Sequence, residues 1–283
     1  MSGYKNFAVV GAGTTGSFII RQLLKDKSAG IVNSVVVLTR EGSKTTVDGD
    51  AKLIPVDYSN KESIKKALIG VDVVISTIAS SVLHLQAGIA DAAKEAGVKL
   101  FVPSEFGGQT EGATEGFFGA KANIQTQLKG LGLPYTLFYT GGFADFLWKP
   151  AFGLDVTSGK VTVGGDGNTQ NSYTSRDDIA RYVSYILTQL PAEQLNNRSF
   201  TMVGDIKSFN EIFKEYEAKT GKKLEVTYVP VSELDARLAT NPGDGFAFLH
   251  KLWTSGPAPQ KENDNHLYPD WNPSSLLDNL PVA

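Results

Sequence analysis

Apolar residues follow two rhythms along the first half of the chain. Phe7-Ala8-Val9-Val10 is a continuous run suited to a strand buried on both faces, and Ile19, Ile20, Leu23 and Leu24 then recur at helical spacing. The pattern repeats. Strands are predicted over Ser34–Leu38, Lys52–Asp57, Val71–Thr77, Lys99–Pro103 and Tyr135–Thr140. Between them, a helix is expected over about Lys61–Leu68, with Ser59 and Glu62 spaced as a capping box. A longer helix carries Val82, Leu85, Ile89, Ala92 and Ala96 on one face and ends at Gly97, and another spans Lys121–Lys129. Strands alternating with helices predict an α/β fold: a parallel sheet covered on both faces, with ligands beyond the carboxyl ends of its strands.

From about Gly141 the alternation loosens. Phe143, Phe146, Trp148 and Phe152 precede a hairpin-like Gly159–Asn168, and a helix near 175–190 is stopped by Pro191. Ser175 with Asp178, and Ser208 with Glu211, have the spacing of helix caps, so Asp177 and Asp178 are not read as catalytic. The expected organisation is a nucleotide-binding domain over residues 1–150, onto which the 175–190 helix packs, and a smaller substrate-binding region over 151–283. Phe246, Phe248, Trp253, Tyr268 and Trp271 are expected to form a cap over the crevice.

The first strand runs into Gly11-Ala-Gly13-Thr14-Thr15-Gly16 and then the first helix, which is a dinucleotide-binding signature. Gly11 makes the tight turn, Gly13 admits a pyrophosphate, and Gly16 lets helix and strand pack closely, with the helix amides facing the phosphates. The fold is therefore expected to be a Rossmann-type doubly wound sheet. Where a site preferring NAD places an acid at the end of the second strand, this chain has Thr39-Arg40, with Ser43 and Lys44 just beyond. A guanidinium can fork onto a 2′-phosphate, so NADP(H) is the expected cofactor, although Glu41 places an acid beside it. Other strand ends supply Asp57 and Tyr58 to flank an adenine, Ser76 and Thr77 along the middle of the cofactor, and Ser104 and Gly142 deeper in the crevice.

With 283 residues and a net charge of −3, the chain can bury a large core and offers no basic face for nucleic acid or anionic lipid. The absence of cysteine excludes disulfides and thiolate chemistry, and three scattered histidines, His84, His250 and His266, argue against a zinc cluster. No stretch approaches the roughly 18–20 apolar residues of a membrane span, and the N-terminal strand lacks a signal-peptide layout. Residence in the cytoplasm is the expectation, with no membrane or nucleic-acid partner.

The segment Phe101-Val-Pro-Ser104-Glu105-Phe-Gly107, taken with the glycine turn, Leu38-Thr-Arg40, Lys121 and Leu133-Pro-Tyr-Thr136, resembles the NmrA-like, isoflavone-reductase-like branch of atypical short-chain dehydrogenases/reductases. The likeness covers about the first 200 residues and is nearer to fungal-type members. It implies an NADPH-dependent reductase in which a lysine after Pro-Ser-Glu-Phe-Gly does acid/base work; here that position is Lys121. No tyrosine has a lysine four residues later, so the usual short-chain dehydrogenase pair is absent, which also argues against an epimerase. The glycine turn is one residue shorter than the branch's usual Gly-x-x-Gly-x-x-Gly, and Leu100 replaces a common arginine.

Two functional classes follow. One is a reductase of a carbonyl, activated double bond or benzylic ether on a small aromatic substrate, with Phe143, Phe146 and Trp148 bordering that substrate. The other is a non-catalytic NADP(H) sensor that binds a protein partner. Lys121 and the aromatic-rich crevice favour the enzyme, since a sensor needs no proton donor.

Overall fold

The structure, a computed structural model, describes residues 3–47, 49–256 and 259–281. It divides into two compact units. The first holds the chain up to Tyr139 together with Ile179–Phe200 and His266–Pro269; the second holds Thr140–Asp178, Thr201–Asn265 and the chain from Asp270 on. The division falls after Tyr139.

In the first unit, β1 (Asn6–Val10), α1 (Gly16–Ser28), β2 (Ser34–Arg40), β3 (Lys52–Val56), α2 (Lys61–Ala67), β4 (Val73–Ser76), α3 (Leu85–Glu95), β5 (Leu100–Val102), α4 (Gly116–Leu131) and β6 (Thr136–Tyr139) follow in order. Five strands form one parallel sheet in the order β3-β2-β1-β4-β5. The order reverses between β1 and β4, which makes the carboxyl ends of these two strands the topological switch point. Phe7, Ala8, Val9 and Val10 have no exposed surface, as a strand covered on both faces requires. One face packs Ala8, Val10, Leu38 and Val74 against Ile64, Ile89, Ala93, Ile124 and Leu128 of α2, α3 and α4.

Three local expectations are corrected. Asn60, not Ser59, caps α2, accepting from the amides of Glu62 and Ser63, because the Ser59 hydroxyl is bound 2.6 Å from Asp57. Helix α4 begins at Gly116, so Lys121 lies in its second turn rather than at its start. Strand β6 does not extend the parallel ladder; it pairs with β11 and touches β5 through a bridge between Phe101 and Tyr135.

The second unit contains β7 (Gly142–Phe143), β8 (Leu154–Asp155), β9 (Lys160–Gly164) and β10 (Asn171–Thr174), after which α5 (Arg176–Gln189) carries the chain into the first unit. There follow α6 (Ala192–Leu195), β11 (Arg198–Thr201), β12 (Asp205–Lys207), α7 (Phe209–Thr220), β13 (Glu225–Val229), α8 (Val231–Thr240) and α9 (Gly245–Ser255). The expected hairpin over 159–168 does not form. Strand β9 pairs with β8 and β13, and β10 with β12 and β7, because the turn through Gly165 (φ +68°) and Gly167 (φ +72°) sends the chain to a different sheet. The caps at Ser175 with Asp178 and at Ser208 with Glu211 are present as read from the sequence. Among the described residues no helix is long and apolar enough to cross a membrane, and no group of acids or histidines is placed to hold a metal.

Candidate active site

The glycine turn after β1 is tight on two sides and open on the third. Gly11 has φ +95°, a conformation that favours glycine. A Cβ on Gly16 would lie 2.1 Å from the Gly11 carbonyl oxygen and 2.4 Å from the Thr77 hydroxyl, so helix and turn meet without room for a side chain. The Thr77 hydroxyl donates to the Gly11 carbonyl at 2.6 Å and lies 3.2 Å from that of Val10, fastening the turn to the end of β4. Gly13 differs: it is exposed, it lies outside the left-handed region, and nothing stands within 4 Å of a Cβ placed on it. Nothing inside the protein requires glycine there, whereas a group lying across the turn would. Thr14 is exposed; Thr15 is buried at the N-cap of α1 without a side-chain cap bond, and the first turn of the helix has no acid to repel an anion. These features fit a dinucleotide's pyrophosphate.

At the end of β2, Thr39 is half-buried and Arg40 is exposed, with no carboxylate partner among the described residues. Ser43 donates its amide to the Arg40 carbonyl at 3.1 Å, so the turn folds back on the strand end; its hydroxyl bonds Thr45 at 2.8 Å, and Lys44 is exposed. Asp57 accepts from the amide and hydroxyl of Ser59, which hold its carboxyl below the usual range. Tyr58 donates to the Leu38 carbonyl at 3.1 Å, and burial pushes its phenol up to about 12. Ser76 is fully buried, and its hydroxyl has no hydrogen-bond partner among the described residues.

The β5 end is joined to this edge by hydrogen bonds. Ser104 donates its hydroxyl to the Ile78 carbonyl at 3.0 Å and its amide to Gln86 at 2.8 Å, so its side chain holds the β4 and β5 ends together. The Glu105 carbonyl accepts from the ammonium of Lys121. On α4, the buried stripe is Lys121, Ile124, Gln125 and Leu128, the i, i+3, i+4, i+7 face of a helix. Lys121 therefore sits at a core position and is 7 % exposed. Burial presses its pKa below the ordinary lysine value, opposed by the Glu105 carboxylate, and the Phe117 ring lies 5.1 Å from the ammonium.

The pattern of residues did not reveal what surrounds the lysine. Glu105 is 1 % exposed and accepts from Thr110 and from Gln125, each at 2.9 Å. Gln125 also donates to the Thr110 hydroxyl at 2.9 Å. The available signal was an acid flanked by the apolar Phe101-Val102 and Phe106, with Gln125 one helical turn beyond Lys121.

In the second unit, Gly142 lies in β7, and a Cβ there would stand 3.1 Å from the Tyr173 ring. Phe143 and Phe146 are half-buried and meet edge to face at 6.4 Å. Trp148 departs from expectation: it packs in the core with Leu147, Leu154 and Phe209, its indole donating to the Ala144 carbonyl at 2.6 Å. His84 is exposed at the N-cap of α3 and makes no cap bond.

The profile of the NmrA-like family matches residues 4–246. Phenylcoumaran benzylic ether reductase Pyrc5 of Pyrus communis is 34% identical over 245 residues, covering 79% of this chain and 77% of that protein. Isoflavone reductase homolog A622 of Nicotiana tabacum is 30% identical over 271 residues, covering 89% and 86%. Among solved structures, the leucoanthocyanidin reductase–NADPH complex from Vitis vinifera superposes with a TM-score of 0.81 at 19% identity, covering 96% of this chain and 97% of that one. The fold is thus that of the Rossmann-like reductases. The match over most of the chain, with the glycine turn and the buried lysine in place, makes this protein a member of the NmrA-like family of atypical short-chain dehydrogenases/reductases.

Proposed function

We propose that this chain is a cytoplasmic NADPH-dependent reductase acting on a carbonyl, activated double bond or benzylic ether of a small aromatic substrate. The observation that carries the reading is Lys121: a lysine at a core position of α4, with its ammonium held on the Glu105 carbonyl. Three hydrogen bonds link this lysine's neighbourhood to the glycine turn: Thr77 to Gly11, Ser104 to Ile78, and Lys121 to Glu105. The relatives named above are reductases by name, and a related solved structure holds NADP⁺ with (+)-pinoresinol, an aromatic ligand.

When bound, the nicotinamide supplies a hydride. Gly11, Gly13, Thr14, Thr15 and Gly16 would hold the pyrophosphate, and Arg40, with Ser43 and Lys44, the 2′-phosphate. Thr39, Asp57, Tyr58, Ser76, Thr77 and Ser104 complete the proposed cofactor lining of the first unit, several of them by shaping strand ends rather than by a free side chain. Lys121 is the catalytic residue. Its ammonium stabilises negative charge developing on a substrate oxygen and delivers the proton, and its lowered pKa makes that transfer easier near neutral pH.

The test is Lys121→Ala, assayed by NADPH oxidation with aromatic ketones, enones and benzylic ethers. Turnover should fall by about 10² to 10⁴, the usual contribution of general acid catalysis, while NADPH affinity stays nearly unchanged. Retained activity refutes the assignment. Tight NADPH binding with no substrate turned over would favour the sensor.

A further inference from the structure

Glu105 is a buried acid that the proton transfer itself does not use. Its two carboxylate oxygens accept from two neutral donors, the Thr110 hydroxyl and the Gln125 amide, each at 2.9 Å. Gln125 also donates to the Thr110 oxygen at 2.9 Å, and the Thr110 hydroxyl lies 3.5 Å from that of Tyr139. Neutral donors alone are weak compensation for a carboxylate that is 1 % exposed, and a charged partner lies nearby in Lys121.

The same residue uses its backbone for a different purpose. Its carbonyl accepts from the Lys121 ammonium, its amide closes a tight turn on the Pro103 carbonyl at 2.8 Å, and Phe106 just after it adopts φ +32°, a strained value for a residue other than glycine. A strained turn persists only where its surroundings over-determine it. Here the side chain of Glu105 anchors the turn from inside, tying it to Thr110 and, through Gln125, to the helix that carries Lys121.

We propose that Glu105 is a positioning residue for Lys121: its clamped carboxylate fixes the turn whose carbonyl holds the ammonium and sets a negative charge near it. The proposal rests on the reductase reading for its kinetic part only. The charged and titratable groups around the cluster are Glu105 itself, Lys121 on α4, Tyr139 on β6, whose hydroxyl is 3.5 Å from Thr110, and Glu111 in the following turn, whose charge acts on Tyr139. Burial raises the Tyr139 phenol above its ordinary range, so it stays neutral through the pH window of the test.

The experiment uses Glu105→Gln, which keeps the shape and removes the charge. Lys121 is followed by NMR of ¹³Cε-labelled lysine, its signal assigned through Lys121→Arg, so no substrate is needed. Loss of the nearby opposite charge should move the Lys121 titration to lower pH, and the alkaline limb of kcat should move with it. An unmoved Lys121 titration in folded Glu105→Gln overturns the proposal, even if Lys121→Ala abolishes turnover. A moved titration in a protein that reduces nothing supports the coupling and counts only against the reductase reading. Should Glu105→Gln not fold, Thr110→Val unties one arm of the clamp while leaving both charges. The expectation is then a kcat lower by about ten- to a hundredfold, with the KM for NADPH unchanged, as for a displaced catalytic group. An unchanged kcat in Thr110→Val refutes the clamp.

Discussion

Gly13→Ala separates the role of the glycine turn in the fold from its role toward a ligand. Of the three glycines in the turn, two are required by the protein itself. Gly11 has φ +95°, and a Cβ on Gly16 would lie 2.1 Å from the backbone oxygen of Gly11. Gly13 has open space around it and an ordinary φ, so a methyl there strains nothing. By reducing the freedom of the unfolded chain, Gly13→Ala should leave stability unchanged or raise it by about 0.4–1 kcal/mol. A pyrophosphate seated on the turn would meet that methyl. Forcing a carbon into an occupied contact costs about 1–3 kcal/mol, which converts to about a 5- to 150-fold loss of NADPH affinity.

The assay pairs thermal unfolding with fluorescence titration of NADPH, and Gly16→Ala serves as the contrast. Gly16→Ala should lower Tm, at about 2–4 °C per kcal/mol in a domain of 150–250 residues, because its nearest obstacle is backbone that cannot step aside. Gly13→Ala should hold its Tm and lose its ligand. An unchanged Kd for Gly13→Ala would refute a pyrophosphate on this turn; a Tm fall of several degrees would refute the open space.

Three further outcomes are expected. Arg40→Ala should cost NADPH about ten- to a hundredfold in affinity, as loss of a charge-assisted pair does, and barely touch NADH; equal affinities for the two cofactors in the unmutated protein would sink this. Phe146, half-buried, carries the Lys149 ammonium 3.4 Å from its ring centroid and the Arg176 guanidinium at 5.0 Å, so Phe146→Ala should raise the substrate KM with little change in Tm. A large Tm drop with unchanged kinetics would make it a core residue. His250 is buried, accepts from the Gly164 amide at 3.0 Å and pairs with the Phe152 carbonyl at 2.8 Å, and burial lowers its pKa. The unfolded chain then takes up a proton at a pH where the fold does not, so this contribution is complete above about pH 6.5 and is lost as pH falls below it. Tm should therefore decline from pH 7 to 5 with a steeper slope than in His250→Gln, and parallel slopes would refute it.

The parts of the fold that were legible in the sequence are those where one periodicity decides the outcome. Phe7–Val10 reads as a doubly buried strand because burial on both faces leaves no polar alternate, and the glycine turn follows it directly. The failures lie where partners matter. Strand β6 has the right composition, yet periodicity says nothing about whether it pairs with β5 or β11. The start of α4, Gly116-Phe117-Phe118-Gly119, reads as a loop because glycine punctuates helices. Its Gly119 is set by a neighbour far closer than the pattern reveals, a Cβ there lying 2.7 Å from Thr114. The Ser59 cap failed for a related reason: the next side chain, Asn60, takes the amides of Glu62 and Ser63, while the Ser59 hydroxyl donates to Asp57.

The site was legible at Lys121 and illegible around it, and the difference is physical. Five positions of α4 are buried, and two of them hold Lys121 and Gln125 in place of the apolar residues that a helix stripe ordinarily carries. Each such substitution forfeits apolar burial and adds a group that is costly to leave unpaired. The structure meets both demands from a single loop. Glu105 offers its carbonyl to one and its carboxylate to the other, while Thr110 takes the remaining amide bond. A lysine and a glutamine four residues apart on a buried stripe are therefore incomplete alone. They require an acceptor-rich segment opposite, and Ser104–Thr110, leaving the sheet at the β5 end, supplies it.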